Sequence, residues 1–444
     1  MTQASPDVVV AGGGLAGLMA AIRAKAAGRS VLLVQRAAGA TTVSSGAIDV
    51  ADEFVDGTPG PALSPFDRGV SFLEAARRVA ARSPRHPYTR LAAELQRLPE
   101  TLAFLQGAAA ELGLVVRPDG KNHIVVTELG TFKRTAVVQK SQHFDVDESP
   151  PDAVVGVVEW VDLGGFDARP VAEMMEWTAS LGHRKLKVVP VRVPRRLSGT
   201  AFFQSAADMG VAVEREPAVW ATCLKSAVEA LAARPAVLLT PAMWSRDAIP
   251  ATSMIEEIVG CPVRELLALP PSPPGERLIA MLTAHAQKAG CDVVQGSVAD
   301  AAFKDRRVVG VDVVTQAERR RVSPLALVLA TGRFFAGGIS RDQVARETVL
   351  DLPVVSGGLE VKDRFIGDLT GEYVNSPHAI FRAGVAVNNG LLPVDARGTP
   401  LLENVVCAGS VVEGYDPARD GTAAGVALLS GMIAGERAAA IASA

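Results

Sequence analysis

The stretch Val8-Val9-Val10-Ala11-Gly12-Gly13-Gly14-Leu15-Ala16-Gly17 runs from an apolar strand through a glycine turn into an alanine-rich helix. Gly12, Gly14 and Gly17 stand at the spacing by which a strand turns tightly, lets its backbone approach a phosphate, and packs the next helix close. Ala16, Ala20, Ala21 and Ala24 keep that helix thin, and a second strand, Val31-Leu32-Leu33-Val34, follows Gly28 to complete a β-α-β unit. A helix N-terminus placed there offers unpaired N–H groups and a positive dipole end to an anion. The unit reads as the phosphate seat of a dinucleotide or flavin, with Gly12, Gly14, Leu15, Ala16 and Gly17 as its candidate residues.

The whole chain bounds what such a seat can serve. Its 444 residues suffice for two or three domains, and an apolar share of 48% supports large cores. The net charge of −3, without a dense basic block, speaks against nucleic acid. Met1 to Asp7 lacks the basic start and apolar core of a signal peptide, so a cytoplasmic chain is expected. The C-terminal apolar run is cut by Glu436 and Arg437, and membrane contact is expected to be peripheral or made through a partner. Cys223, Cys261, Cys291 and Cys407 are scattered, which predicts neither a bound metal or iron–sulfur cluster nor a redox-active dithiol on this chain.

Further along, Gln35 and Arg36 close the second strand where dinucleotide-binding proteins carry a carboxylate for the ribose hydroxyls. A Gln carbonyl can still accept such a bond, or Gln35 simply ends the strand. Thr41-Thr42-Val43-Ser44-Ser45-Gly46 packs hydroxyls and a glycine into one loop suited to a phosphate or a flavin ring edge, and is otherwise a plain turn. A breaker-rich loop at Gly57 to Pro61 is followed by helical periodicity over 72–81, 88–98 and 101–112, the last ending at Gly113. Short strands at 124–126 and 136–138 are joined by Gly130-Thr131-Phe132-Lys133-Arg134-Thr135, whose two cations can grip an anion or remain solvated. A second domain of alternating strands and helices follows, including a helical stretch from Thr200 to Met209. Pro270-Pro271-Ser272-Pro273-Pro274-Gly275 reads as the linker back to the first domain.

Two later glycine corners complete the pattern. Leu325 to Leu329, Ala330, Thr331 and Gly332 form a buried strand ending in a turn. Ala408-Gly409-Ser410 and Gly421-Thr422-Ala423 precede a final helix whose N-terminus can face the pyrimidine end of a flavin.

Together these corners resemble the glutathione-reductase-type flavoproteins, and the fumarate reductase branch in particular. More narrowly, Ser44-Ser45-Gly46-Ala47-Ile48-Asp49, His86-Pro87-Tyr88, Leu129 to Lys133, Ile380 to Val385 and Gly414-Tyr415-Asp416-Pro417 resemble the B-subunit family of anaerobic glycerol-3-phosphate dehydrogenases. The resemblance implies an α/β fold: a Rossmann-like flavin-binding domain with a central parallel sheet and an inserted α+β domain. The expected limits are 1–85 and 272–444 for the flavin-binding parts and 86–271 for the insert. It also implies oxidation of sn-glycerol 3-phosphate to dihydroxyacetone phosphate, with electrons passed to quinone. Its implied partners are a catalytic FAD subunit and an iron–sulfur subunit that attaches to the inner face of the cell membrane.

The family's flavin is described as FMN, which the missing carboxylate at Gln35 fits. The intact fingerprint fits the pyrophosphate of FAD, so FMN is expected first with FAD as the alternative. With no histidine before His86, the flavin is expected to be non-covalent. His378 and Arg382 are the candidate catalytic residues, a base and a cation, and Lys133 and Arg333 are candidates for a substrate phosphate. An electron relay is expected of this chain; an independent soluble flavoenzyme and a cofactor-free scaffold are the alternatives.

Overall fold

The computed structural model describes residues 5–37, 39–52, 66–146, 153–196, 202–245, 249–270, 272–341, 344–361, 365–373, 376–417 and 419–444. The loop expected at Gly57 to Pro61 lies outside them, as do Pro271 and the start of the helix expected from Thr200.

Strand β1 (Val8–Ala11) feeds helix α1 (Leu15–Ala26), and β2 (Val31–Gln35) returns beside β1. Helices α2 (Phe72–Arg82) and α3 (Leu98–Ala108) follow, and Gly113 sits in the left-handed region just beyond, as its C-capping position requires. A hairpin of β3 (His123–Val126) and β4 (Phe132–Thr135) comes next. Lys133 and Arg134, expected on a connecting loop, therefore stand on a strand, because the turn closes within 127–131, where Gly130 takes φ +76°.

The chain then builds β5 (Val154–Trp160), α4 (Ala168–Leu181), β6 (Lys187–Val193), α5 (Ala206–Arg215), α6 (Pro217–Glu229), β7 (Val237–Thr240), α7 (Ile249–Val259) and β8 (Val263–Glu265). These four strands pair in parallel in the order β8-β7-β5-β6. Within 86–271 this parallel layer stands beside the antiparallel hairpin of β3 and β4. Alternation along β5 sends Val155 and Val157 to one core and Val158 and Trp160 to another, so both faces of the sheet are covered.

Helix α8 (Pro273–Lys288) begins inside the stretch expected to be a linker. Ser272 caps it by accepting from Gly275 N at 3.1 Å, and Pro273 and Pro274 occupy first-turn positions whose missing N–H groups would be unpaired anyway. Strands β9 (Asp292–Gln295), β10 (Ala326–Leu329) and β11 (Val405–Cys407) join β2 and β1 in one parallel sheet, β9-β2-β1-β10-β11. The last helix, α9 (Ala423–Ile441), closes the layer.

The core of this first sheet also contains Tyr88, Leu91, Leu98, Leu102 and Leu105. Residues just past 86 hence pack with the N-terminal sheet. Helix α9 is long and apolar enough to cross a membrane, yet most of it is buried in this core. Cβ atoms at Gly431 and Gly435 would collide with the carbonyls of Ala16 and Ala20, so α9 lies directly against α1. A buried ion pair ties the two sheets: Arg277 on α8 reaches Glu265 on β8 at 2.5 Å.

Candidate functional site

A groove of about 660 Å³ opens over the C-terminal ends of β1 and β10 and the N-termini of α1 and α9. Thirteen of the residues singled out from sequence line it: Gly12, Gly14, Leu15, Ala16, Arg36, Ser44, Ser45, Lys133, Thr331, Gly332, Arg333, Gly409 and Ala423. Both ends of the chain meet here because β1 pairs with β10, which pairs with β11. Ser430 of α9 fixes the last corner by accepting from Gly409 N at 2.9 Å.

The glycine turn is built for close approach. Gly12 has φ +121°, and a Cβ there would strike the Ala330 carbonyl. Gly14 begins α1 without any side-chain cap. Among the described residues, nothing accepts a hydrogen bond from the Leu15 and Ala16 amides. Helix α9 likewise starts at Thr422 without a side-chain cap, and nothing described accepts from its Ala423 and Ala424 amides, although both residues line the groove. Two long helices thus aim unpaired donors and positive dipole ends at one space, the property that an anionic group requires.

Six singled-out residues do not line the groove. Gly17 packs α1 on Gly12, where a Cβ would strike the Gly12 carbonyl. Gln35 is buried beneath Gly13, donating to Thr283 Oγ1 at 3.3 Å and accepting from Gln295 Nε2 at 3.1 Å. Gly46, at φ +78°, makes room for Pro274 of α8. Thr422 is buried against His86. His378 accepts from Gly371 N at 2.9 Å, and its ring stands edge-on to Phe381 with centroids 5.3 Å apart. Arg382 donates to Asp420 Oδ1 at 2.7 Å and to Gly414 O at 3.2 Å.

At the end of the groove nearest α9, Lys133 Nζ lies 2.7 Å from Asp49 Oδ2, and both residues line the wall. Asp49 also anchors α9, since its carbonyl accepts from Gly425 N at 2.8 Å. Arg333 is only 8% exposed and spends its guanidinium on backbone: it donates to Tyr415 O and Val412 O, each at 2.9 Å, and to Phe381 O. Its plane lies over the Tyr415 ring, 4.7 Å from the centroid. Burial lowers its pKa from the ordinary guanidinium value.

The opposite end carries lining residues that the sequence did not single out. Gly296, Ser297 and Val298 follow β9, and Phe334, Phe335 and Thr348 border the corner after β10. Beneath that corner Glu347 is buried, with its carboxylate accepting from Val349 N at 3.1 Å and Leu350 N at 2.8 Å. Burial pushes its pKa up to about 7. These positions carry no motif, and only the pairing of β9 with β2 brings the first three to the groove.

The parallel sheet, the close-approach glycines and the two open helix starts fit a flavin nucleotide and define a flavin-binding oxidoreductase fold. The chain belongs to the FAD binding domain family, whose model matches residues 7–426. It is similar over almost its whole length to proteins named as the B subunit of anaerobic glycerol-3-phosphate dehydrogenase. The one from Yersinia pseudotuberculosis serotype I is 28% identical, covering 97% of each chain. That from Pectobacterium carotovorum subsp. carotovorum is 28% identical, covering 97% of this chain and 98% of the relative. Among solved structures, the open conformation of a flavocytochrome c3 fumarate reductase overlays with a TM-score of 0.46 at 13% identity, covering 99% of this chain and 79% of the other.

Proposed function

We propose that this chain is the flavin-carrying B subunit of an anaerobic glycerol-3-phosphate dehydrogenase, and that it relays electrons released when sn-glycerol 3-phosphate becomes dihydroxyacetone phosphate. The single observation that carries the reading is the groove in which glycine corners from both chain ends converge, in a chain similar at full length to proteins of that name. A partner subunit with FAD would perform the oxidation, and an iron–sulfur subunit would pass the electrons to quinone at the inner face of the cell membrane. In this reading the chain itself sits on the cytoplasmic side.

FAD is favoured over FMN. The groove continues past the Gly12–Ala16 turn to Arg36, Ala37 and Gly296 to Val298, space that an adenosine half would fill and FMN would leave open. With Gln35 turned away, the adenosine ribose would be met by backbone and by the Arg36 side chain rather than by a carboxylate. The amides of Leu15 and Ala16 would hold the pyrophosphate. Ser44, Ser45, Thr331, Gly332, Gly409 and Ala423 would flank the rest of the nucleotide. When bound, the flavin supplies a two-electron acceptor.

The relay role is favoured by what surrounds the redox end. Oxidising an alcohol calls for a base at the hydroxyl and cations for the phosphate. Here His378 lies outside the groove, Arg382 is committed to Asp420, and Arg333 to three carbonyls. Lys133, already neutralised by Asp49, is left to hold the flavin's edge or a small anion.

The test is to purify the chain by itself, record its visible spectrum and weigh the released cofactor. FAD at about one per chain, with no bleaching by glycerol 3-phosphate until the partner subunits are added, is the expected result. Absence of flavin after gentle isolation would overturn the reading. Bleaching of the isolated chain would replace the relay with direct oxidation.

A further inference from the structure

Helix α4 carries apolar residues on two faces. Val171, Ala172, Met175 and Ala179 are buried in one core with Val155 and Val157 of β5. Met174, Trp177 and Leu181 follow one another at the three- and four-residue spacing of neighbours on a helix surface. Trp177 is 58% exposed and Leu181 55%, on the side where an amphipathic helix carries polar groups. The turn between β3 and β4 adds another apolar side chain. Gly130 sits tightly on α4, where a Cβ would lie 2.9 Å from Met174 Cβ, and its neighbour Leu129 is 58% exposed. The chain has four tryptophans, and Trp160, Trp220 and Trp244 are all buried.

The charge at the end of this face is one-sided. From Trp177 to Lys187 the chain carries Arg184, Lys185 and Lys187 and no acid. Capping of α4 does not need these cations: Gly182 N and Arg184 N donate to Ala179 O, and His183 N donates to Ser180 O. Arg184 lies over the Phe66 ring, 5.1 Å from its centroid. Lys185 and Lys187 are exposed, and among the described residues neither pairs with a carboxylate. Of the two acids on the helix itself, Glu176 accepts from Val188 N at 2.8 Å, and Glu173 stands one turn before Trp177, away from the cations.

Protein interfaces favour tryptophan but are depleted in lysine. Exposed Trp and Leu with Lys and Arg beside them are instead the combination by which a helix lies in the headgroup layer of an anionic membrane. We propose that the face formed by Leu129, Trp177 and Leu181, with Lys185 and Lys187 at its end, docks this chain directly on an anionic lipid bilayer. This goes beyond the functional reading above, in which a partner subunit meets the membrane, and it needs no bound flavin.

The test mixes the full-length protein with vesicles of phosphatidylglycerol and phosphatidylethanolamine, or of phosphatidylcholine alone. It should sediment with the anionic vesicles only, and release them as salt is raised. Because the other tryptophans are buried, a blue shift of the emission and its quenching by brominated acyl chains report Trp177. Trp177→Ala should weaken binding about tenfold, and Lys185→Gln with Lys187→Gln about thirtyfold. Melting temperatures should not change, since all three side chains are exposed. No binding, equal binding to both kinds of vesicle, or binding that leaves the Trp177 emission unaltered would overturn the proposal. So would a Trp177 shift seen only on adding partner subunits, which would make this face a protein interface.

Discussion

Among the described residues stand two parallel sheets, β9-β2-β1-β10-β11 and β8-β7-β5-β6, and the turn after the first strand of each is built differently. After β1 the chain turns through glycines, and α1 starts at Gly14 without a side-chain cap. After β5 the corresponding turn is filled from within. Asp162 accepts from Arg196 N at 2.7 Å and pairs with Arg195 at 3.4 Å, while Gly164 N donates to Phe203 O at 3.1 Å. Asp167 then caps α4 by accepting from Arg169 N at 2.9 Å. One helix keeps its positive end for a ligand, and the other satisfies it with its own carboxylate. Topology sets where a site can form, and the capping residue decides whether the helix end is available.

The largest expected effect falls on the glycine turn. Gly12→Ala forces a Cβ into the Ala330 carbonyl at a positive φ, and flavin should be lost from whatever protein still folds, as read by the visible spectrum. Gly164→Ala, whose Cβ would meet its nearest neighbour at 3.6 Å, should leave both flavin content and melting temperature close to the parent. Equal sensitivity at the two turns would break the comparison.

Next comes the tie between the sheets. Arg277→Met strands the Glu265 carboxylate, which also accepts from Met243 N and Trp244 N, and should cost about 3–5 kcal/mol in denaturant unfolding. A pH effect follows at Glu347. Its folded pKa of about 7 lies above the ordinary 4.5, so the stability it contributes is complete below about pH 4.5 and is lost as pH rises through 7. Glu347→Gln should therefore gain on the parent by about 3 kcal/mol between pH 4.5 and pH 8, measured by unfolding across that range.

The smallest effects concern the caps themselves. Gly14→Asp has room, with nothing within 4 Å of its Cβ and an ordinary φ of −79°. It should raise the melting temperature slightly while weakening flavin binding about tenfold, because its carboxylate takes the amides that a phosphate would use. Asp167→Ala in the insert should cost about 1 kcal/mol and leave flavin affinity unchanged.

Much of this was legible in the residues. The β1 turn, the Thr331-Gly332 and Gly409 corners, and Lys133 all reach the groove, because glycine spacing and apolar runs encode local geometry that tertiary packing keeps. Gln35 was misleading for a physical reason. It stands at the position of a ribose ligand, but Gln295 on the neighbouring strand engages its oxygen and draws it under the sheet. The proline-rich stretch at 270–275 deceived in another way, since prolines that break a helix interior are welcome in its first turn.

By itself the sequence determined that a glycine turn follows the first strand, that a parallel sheet carries it, and that two further glycine corners end later apolar strands, since each depends on a few consecutive residues and their allowed dihedrals. Only the tertiary structure decided which cations remain available, where Gln35 points, and that His86 holds Thr422 from 336 residues away. Those outcomes depend on which distant groups compete for one hydrogen bond, and strand order, rather than local propensity, settles that competition.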